Sequence, residues 1–225
     1  MNNIKLSQFI SVKIFHDFAG GLGAISNGIK YCIDNQHQLN NKLYGLAFDT
    51  IKIGSTNLLV KLQLYRQMYG SASKSYGDNK LYHEANFDEI RAVLDDYFKA
   101  LINTKINLVF KDEFFHVKDT NIDISTGKLL MCLVISAQDA LLHGGDITVK
   151  IYRKQDKSQI NILAKGKSIK NNEEQNFILT ATDLSDDNIT LFNVHAYYVY
   201  YLKKMVNASI SCKHGEDYIS YIIEQ

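Results

Sequence analysis

The most informative stretch of the chain covers residues 13–28 and reads KIFHDFAGGLGAISNG. Apolar residues recur in and around it at every third or fourth position, a spacing that predicts one face of an α-helix. These residues are Ile10, Ile14, Phe18, Leu22, Ile25, Ile29 and Cys32. At about 100° per residue, His16 falls nearly opposite this face, and Gly20, Gly23 and Asn27 share its side. We therefore expect the imidazole of His16 to point into solvent.

The glycines of this stretch indicate more than a folding role. A glycine costs roughly 1 kcal/mol relative to alanine in a helix interior, yet the predicted helix contains Gly20, Gly21, Gly23 and Gly28. A glycine cluster more often marks a turn, and a lone exposed histidine is most often an ordinary surface residue. Here the apolar pattern passes through the glycines without losing its phase. A partner that must approach His16 closely would explain both features.

The composition is that of an ordinary globular protein and argues against several classes of function. The 225 residues are 46% hydrophobic and 22% charged, which suits one large domain or two small ones. A formal charge of +1 lacks the excess of positive charge that is typical of nucleic-acid-binding proteins. No apolar run approaches the roughly 18 residues of a membrane span, and residues 1–8 lack the apolar segment of a signal peptide. We therefore expect a cytoplasmic protein without membrane or nucleic-acid partners.

The cysteines and histidines predict neither disulfides nor a metal site. Cys32, Cys132 and Cys212 are odd in number and far apart, which favours free thiols in a reducing compartment. The seven histidines show no ligand spacing with cysteine or carboxylate, so no bound metal is expected.

The first part of the chain predicts a helical hairpin. One helix runs from about Lys5 to Asp34, the polar residues 35–41 turn the chain, and a second helix ends at Gly70. The second helix carries its own apolar face, with Leu43, Ala47, Ile51, Leu58, Leu62, Tyr65 and Tyr69. One hairpin buries only part of these faces, and two copies would complete a four-helix bundle. Residues 1–72 are therefore expected to form a homodimer.

The pattern changes beyond a small polar linker at residues 71–79. Asn86 can cap a helix that holds Asp88 and Glu89 in its first turn and reaches about Asn103. Further helices are predicted over 125–142 and 188–206, and strands over 106–110, 146–152, 159–164, 208–212 and 218–223. We expect residues 76–225 to form an α+β sandwich of helices against a mixed sheet.

This order of elements resembles a known family. A hairpin bearing His16 and Asp17, followed by an α+β domain, is similar to the core of a sensor histidine kinase. It is closer still to the ChpT-type histidine phosphotransferases of alphaproteobacteria. The specific likeness lies at residues 16–28, although Gly21 stands where that family commonly has proline; weaker likeness follows at 62–70, 88–98, 141–149 and 193–205. The resemblance implies a dimeric four-helix bundle followed by a Bergerat-type, histidine-kinase-ATPase-like α/β domain.

Three features by which a histidine kinase binds ATP are missing. The helix before Gly144 should carry an asparagine that holds Mg²⁺, and Ser136 stands in its place. Residues 163–167 should contain an acid that reads the adenine amino group, and they contain none. Residues 185–192 should form a glycine-rich lid, and they contain no glycine. The resemblance therefore implies a degenerate ATPase domain with no cofactor of its own.

The implied reaction is a phosphoryl relay between receiver domains. An aspartyl phosphate on one receiver would donate to His16, and His16 would donate to a second receiver. Neutral imidazole is a competent nucleophile near pH 7 because its ordinary pKa is about 6.5, and Nε2 would attack in line. Mg²⁺ would be bound by the receiver. The family suggests a hybrid histidine kinase as donor and a response regulator that controls the cell cycle as acceptor.

The candidate site has two parts, one that would carry out the reaction and one that would bind the partner. His16 and Asp17 would carry the chemistry, and Lys13, Gly20, Gly23 and Asn27 would form the receiver-binding surface. Asp17 could orient the imidazole or take its proton, and a plain solvated acid is an equally good interpretation. Two other functions stay open: a divergent histidine kinase that still binds ATP, and a non-catalytic dimeric adaptor on which His16 accepts no phosphate.

Overall fold

Two long helices form the N-terminal hairpin of the computed structural model, which describes residues 3–35, 41–70, 84–101, 105–112, 121–154 and 157–225. Helix α1 covers Asn3–Asp34 and helix α2 covers Asn41–Tyr69. The sequence predicts both helices correctly, including the end of α2 immediately before Gly70. Most of the predicted turn at 35–41, and all of the predicted linker at 71–79, lie outside the described residues.

Glycines bring α1 and α2 close together. A Cβ added to Gly21 would lie 2.7 Å from the Leu58 side chain, and one added to Gly28 would lie 2.7 Å from that of Ile51. Real Cβ atoms do not approach this closely, so both positions require glycine for the observed packing. Gly28 lies later in α1 than Gly21, and its partner Ile51 lies earlier in α2 than Leu58, so the two helices are antiparallel.

The rest of the chain builds a mixed five-stranded sheet covered by helices, as predicted. The helices are α3 (Phe87–Ala100), α4 (Ile124–Ala140), α5 (Glu173–Thr180) and α6 (Val194–Met205). The strands of the sheet are β2 (Ile106–Asp112), β4 (Gly145–Lys154), β5 (Lys157–Lys165), β6 (Ser209–His214) and β7 (Tyr218–Glu224), in the order β2-β4-β5-β7-β6. Strands β2 and β4 are parallel and the other pairs are antiparallel. Strands β1 (Glu84–Asn86) and β3 (Asn121–Asp123) pair separately.

Helix α4 lies at the centre of the core. Leu129, Leu133 and Val134 are fully buried, because this helix is apolar on nearly all sides and packs between the sheet and the other helices. The same core continues into the hairpin through Leu64 and Met68 of α2. The hairpin therefore packs directly on the α+β part of the chain.

Helix α6 is shorter than the sequence predicts, because it begins at Val194 and not at residue 188. Asn193 explains the difference. Its side-chain oxygen accepts from the Thr190 amide at 2.8 Å, and its side-chain nitrogen donates to Glu174 at 2.8 Å and to the Asn188 carbonyl at 3.0 Å. Such local bonds compete with helix formation. Helix α5, capped by the Asn172 side chain, was absent from the sequence prediction.

Among the described residues, no helix combines the length and the hydropathy that would be needed to cross a membrane.

Candidate functional site

His16 projects from the middle of α1 into solvent, with 88% of its side chain accessible. Gly20 and Gly23 lie on the same side of the helix, and a Cβ added to either would meet no atom within 4 Å. Asn27 is exposed on this side as well. The predicted direction of His16 is thus the observed one. The two open glycines leave a shallow, unobstructed surface beside the imidazole, whereas Gly21 and Gly28 face α2.

Asp17 connects His16 to both helices of the hairpin. Its Oδ1 lies 3.4 Å from Nδ1 of His16. Its Oδ2 accepts a hydrogen bond from the Tyr65 hydroxyl of α2 and lies 3.5 Å from Nζ of Lys13. Nζ of Lys61 donates to the main-chain carbonyl of Asp17 at 3.4 Å. Asp17 is therefore held in place from two helices, unlike a freely solvated helix acid.

The environment of Asp17 favours its ionised form. Partial burial acts to raise the pKa of this carboxyl, but the Tyr65 hydrogen bond, the Lys13 charge and the His16 hydrogen bond together outweigh it, and the pKa lies below its usual value. Asp17 is consequently a carboxylate near neutral pH.

The ionised carboxylate favours one of the two tautomers of the His16 imidazole. A carboxylate can only accept hydrogen bonds, so the 3.4 Å contact with Oδ1 of Asp17 favours the tautomer of neutral His16 that carries its hydrogen on Nδ1. Nε2 then has a free lone pair. This nitrogen belongs to the exposed side chain, so its lone pair is accessible from solvent.

A recess of about 220 Å³ lies behind Asp17, between the hairpin and the α+β domain. The hairpin contributes Lys13, Asp17, Lys61, Tyr65, Met68 and Tyr69, and the rest of the chain contributes Tyr97, Ile135, Asp139, Gln175, Leu191, Phe192 and His195. Asp139 lines the recess, where desolvation by the surrounding protein raises the pKa of its carboxyl despite the opposing charge of Lys13. The recess therefore places several polar groups next to Asp17 of α1.

His195 joins the two parts of the chain across this recess. Its Nε2 lies 3.0 Å from the Cys132 carbonyl, which can only accept, so Nε2 carries a hydrogen. Nδ1 then accepts from the Tyr69 hydroxyl at 2.8 Å. Burial lowers the pKa of His195 to about 4, although the bond to the Cys132 carbonyl opposes this shift. His195 is accordingly neutral near pH 7.

Sequence reasoning missed the roles of Tyr65 and Tyr69. Both were placed on the apolar face of the second helix, where their rings do pack: Tyr65 stacks on Phe18 with centroids 5.8 Å apart and contacts Tyr69 at 5.6 Å. The available signal was the hydroxyl itself. A buried tyrosine hydroxyl usually finds a hydrogen-bond partner, so tyrosine at these positions instead of phenylalanine indicates a polar neighbour.

The positions that would bind nucleotide in a kinase have other contacts here. Ser136 is buried, and its hydroxyl donates to the Cys132 carbonyl at 3.1 Å within α4. Gly166 lies against the turn after α4, where a Cβ would come within 2.8 Å of the Gly144 carbonyl oxygen. Ser136 thus offers no side-chain group toward a ligand.

The hairpin also exposes an apolar stripe. Ile4, Phe15, Leu22, Ile29 and Ile33 of α1 are between 46% and 72% exposed, and they fall within a sector of about 40° around the helix. Phe48, Leu59 and Leu62 of α2 are exposed too, at 52–63%. His16 lies about 120° away from the α1 stripe. The stripe and the imidazole therefore face different directions.

Comparison with known proteins places this chain among histidine phosphotransferases. The family model of the histidine phosphotransferase C-terminal domain matches residues 87–218, more than half of the chain. Among curated proteins, none matches the sequence.

Solved structures resemble this chain at low sequence identity. A bacterial phosphotransferase solved at 1.7 Å is 18% identical, with a TM-score of 0.80 over 99% of this chain and 97% of its own. The catalytic domain of the histidine kinase ThkA is 17% identical, with a TM-score of 0.47 over 63% of this chain and 93% of its own. The first likeness establishes a shared fold over the whole length. Because the family model covers most of the α+β domain, the chain belongs to the histidine phosphotransferase family.

Proposed function

We propose that this protein is a phosphoryl carrier between receiver domains, with His16 as its phosphoacceptor. One observation carries the proposal: an exposed imidazole whose Nδ1 faces an ionised carboxylate, beside a surface kept open by Gly20 and Gly23. A surface histidine without a function would need neither a carboxylate held in place beside it, as Asp17 is, nor glycines at positions 20 and 23. Membership of the histidine phosphotransferase family agrees with this chemistry.

In the proposed step, the lone pair on Nε2 of His16 attacks the phosphorus of a receiver aspartyl phosphate. The Nε2–P bond forms as the bond from phosphorus to the aspartyl oxygen breaks, and that electron pair returns to the receiver as a carboxylate. The imidazole gains positive charge, and the carboxylate of Asp17 at Nδ1 stabilises it. Reversal on a second receiver completes the relay. Mg²⁺ for both steps would be bound by the receivers.

The receiver would dock over Lys13, Gly20, Gly23 and Asn27. The two glycines let a partner's main chain approach the imidazole, and Asn27 extends the polar surface about one helical turn beyond Gly23. Lys13 supplies a positive charge that suits the acidic pocket in which a receiver holds its Mg²⁺. As the family resemblance suggests, a hybrid histidine kinase would be the donor and a response regulator that controls the cell cycle would be the acceptor.

We propose that the domain at residues 76–225 acts without ATP. Support comes from Ser136, which replaces an amide and is hydrogen-bonded inside α4, and from the absence of an acid at 163–167 and of glycine at 185–192. The domain would then serve as a rigid support for the hairpin.

The proposed oligomer is a cytoplasmic homodimer through the hairpin at residues 1–72. The exposed stripe on α1 and the exposed leucines of α2 supply the apolar surface that a second copy would bury in a four-helix bundle. Burial of apolar surface contributes about 25 cal/mol per Å², so covering such a stripe strongly favours association.

The test is phosphate uptake from a receiver carrying a radiolabelled aspartyl phosphate. The wild-type protein should acquire acid-labile label, His16→Ala should acquire none, and His143→Ala, which alters another exposed histidine, should behave as wild type. Label on the His16→Ala protein would contradict the site. An unlabelled wild-type protein would favour the adaptor function. Labelling by Mg-ATP alone, or its binding at micromolar concentration in calorimetry, would favour the kinase function.

A further inference from the structure

We infer that Tyr65 is a positioning residue for phosphoryl transfer: its hydroxyl anchors Oδ2 of Asp17, so that Oδ1 stays on Nδ1 of His16. The inference rests on the proposed function of His16 as phosphoacceptor and extends it to the second helix of the hairpin. Among the described residues, Tyr65 contacts Asp17, Phe18 and Tyr69 and makes no hydrogen bond or ring contact with His16, so it acts on the imidazole through Asp17.

The two oxygens of the Asp17 carboxylate have separate tasks. Oδ1 faces Nδ1 of His16 at 3.4 Å, whereas Oδ2 receives the Tyr65 hydroxyl and the Lys13 ammonium. His16 and Asp17 are adjacent in α1, so helix geometry alone does not direct the carboxylate toward the imidazole rather than toward solvent. A bond from α2 to the opposite oxygen fixes the carboxylate plane and leaves Oδ1 available.

Tyr65 is better suited to this task than Lys13. Its ring is stacked on Phe18, with an interplanar angle of 16°, and is contacted on another side by Tyr69, so its hydroxyl is held in position by packing. Lys13 reaches Asp17 with a long, flexible side chain on the same helix, and such pairs contribute little when exposed. Tyr65 also remains neutral, since burial and the neighbouring Asp17 raise its pKa far above the ordinary value.

The anchoring affects the reaction through the proton on Nδ1. The carboxylate accepts that proton's hydrogen bond before transfer and faces a cationic ring once the Nε2–P bond has formed. A carboxylate that rotates away loses both effects. The Nδ1–H tautomer would then be less populated, and fewer collisions with a phosphorylated receiver would find a free lone pair on Nε2.

Other charged and polar groups also surround Asp17. These are Lys13 and His16 on α1, Lys61 on α2, and, across the recess, Tyr97 on α3, Asp139 on α4 and His195 on α6. Among the described residues, the Asp17 carboxylate has three side-chain hydrogen-bond partners, which are Tyr65, His16 and Lys13. Removing the Tyr65 hydroxyl therefore removes one hydrogen bond to the Asp17 carboxylate and preserves the other contacts.

The decisive variant is Tyr65→Phe, which keeps the ring and its stacking. We expect the fraction of the Nδ1–H tautomer of His16, measured by nitrogen-15 NMR, to fall, and the pKa of Asp17, measured by carboxyl carbon-13 NMR, to rise. Phosphorylation of His16 by phosphoramidate, a small donor that needs no docking, should slow about ten-fold. Transfer from a receiver should slow by a similar factor while the affinity for the receiver is unchanged.

Tyr198→Phe is the matched control. It also removes a hydroxyl hydrogen bond, to the Met68 carbonyl at 2.7 Å, but does not touch Asp17. We expect the tautomer, the pKa of Asp17 and the rate with phosphoramidate to match wild type. A double-mutant cycle with Asp17→Asn completes the test, because Tyr65→Phe should have little further effect once the carboxylate is absent.

The outcomes separate this inference from the proposed function. An unchanged tautomer, an unchanged Asp17 pKa, or an equal rate loss in the Asp17→Asn background would overturn the positioning role. Failure of the wild-type protein to accept phosphate from any receiver would overturn the relay, while the two NMR measurements would still decide whether Tyr65 orients Asp17 and His16.

Discussion

The hydroxyl of Tyr69 lies 2.8 Å from Nδ1 of His195 and joins the last turn of α2 to the first turn of α6. The opposite nitrogen of the same ring donates to the Cys132 carbonyl of α4. One neutral imidazole thus ties together three helices, next to the recess that reaches Asp17.

Removing the Tyr69 hydroxyl should weaken this junction. In Tyr69→Phe, the acceptor nitrogen of His195 is left unpaired in a buried site, which typically costs about 1–3 kcal/mol. Urea unfolding should report a loss of stability in this range. Tyr31→Phe, which alters an exposed tyrosine of α1, should unfold like wild type. Equal midpoints for the two variants would contradict the importance of the junction.

Acid should destabilise the protein through His195. Its folded pKa of about 4 lies below the ordinary value of 6.5, so the unfolded chain binds the proton more readily between these values. The contribution of His195 is complete above pH 6.5 and declines as the pH falls toward 4, by at most about 3 kcal/mol. His195→Gln should show a shallower pH dependence of stability over this range, and His143→Gln should keep the wild-type slope.

The neighbouring glycines Gly20 and Gly21 should respond oppositely to substitution. Gly20→Ala should stabilise α1 by up to about 1 kcal/mol, since its Cβ enters open space. Gly21→Ala should destabilise the hairpin by about 1 kcal/mol or more, because its Cβ would overlap Leu58. Thermal unfolding measures the change in stability of both variants. A destabilised Gly20→Ala protein would show that this surface is not open.

A larger side chain at Gly20 should slow phosphoryl transfer without unfolding the hairpin. Gly20→Leu places a side chain one turn along from His16, where it would keep a receiver away from the imidazole. The rate of transfer from a phosphorylated receiver should fall, while the rate with phosphoramidate should be close to that of wild type. Equal losses with both donors would argue against receiver docking at this surface.

A charge within the exposed stripe should break the proposed dimer. Leu22→Lys would bury an ammonium group in the bundle, so light scattering should give the mass of one chain instead of two. Met205→Lys, at an exposed position of α6, should remain dimeric. A wild-type protein that is monomeric at micromolar concentration would exclude the dimer.

The sequence predicts the longer helices and the direction of His16 because both depend on local periodicity. The apolar repeat through the glycines places the imidazole opposite the packed face without any tertiary information. Helix α5 and strands β1 and β3 were missed because short elements carry too few periodic positions. The start of α6 was placed too early because bonds from Asn193 across the loop override the apolar pattern.

The anchoring of Asp17 could not be predicted, because it depends on the register between α1 and α2. Tyr65 is 48 residues from Asp17 in the chain, and its pattern indicates only that the ring packs inward. The Tyr69–His195 bond is hidden for the same reason. The apolar periodicity of such a tyrosine predicts that its ring is packed, but it does not predict the partner of its hydroxyl hydrogen bond.

Asp17 is held by Lys13 and Tyr65 of its own hairpin, and the imidazole of His16 lies about 120° around α1 from the exposed stripe that a second copy would cover. Each subunit of a dimer would therefore carry a self-sufficient site. A mixed dimer of one wild-type and one His16→Ala subunit should accept one phosphoryl group at the ordinary rate per site. A defective subunit would then lower the amount of phosphate accepted in proportion to its share of the protein, and it would not inhibit the intact subunit with which it pairs.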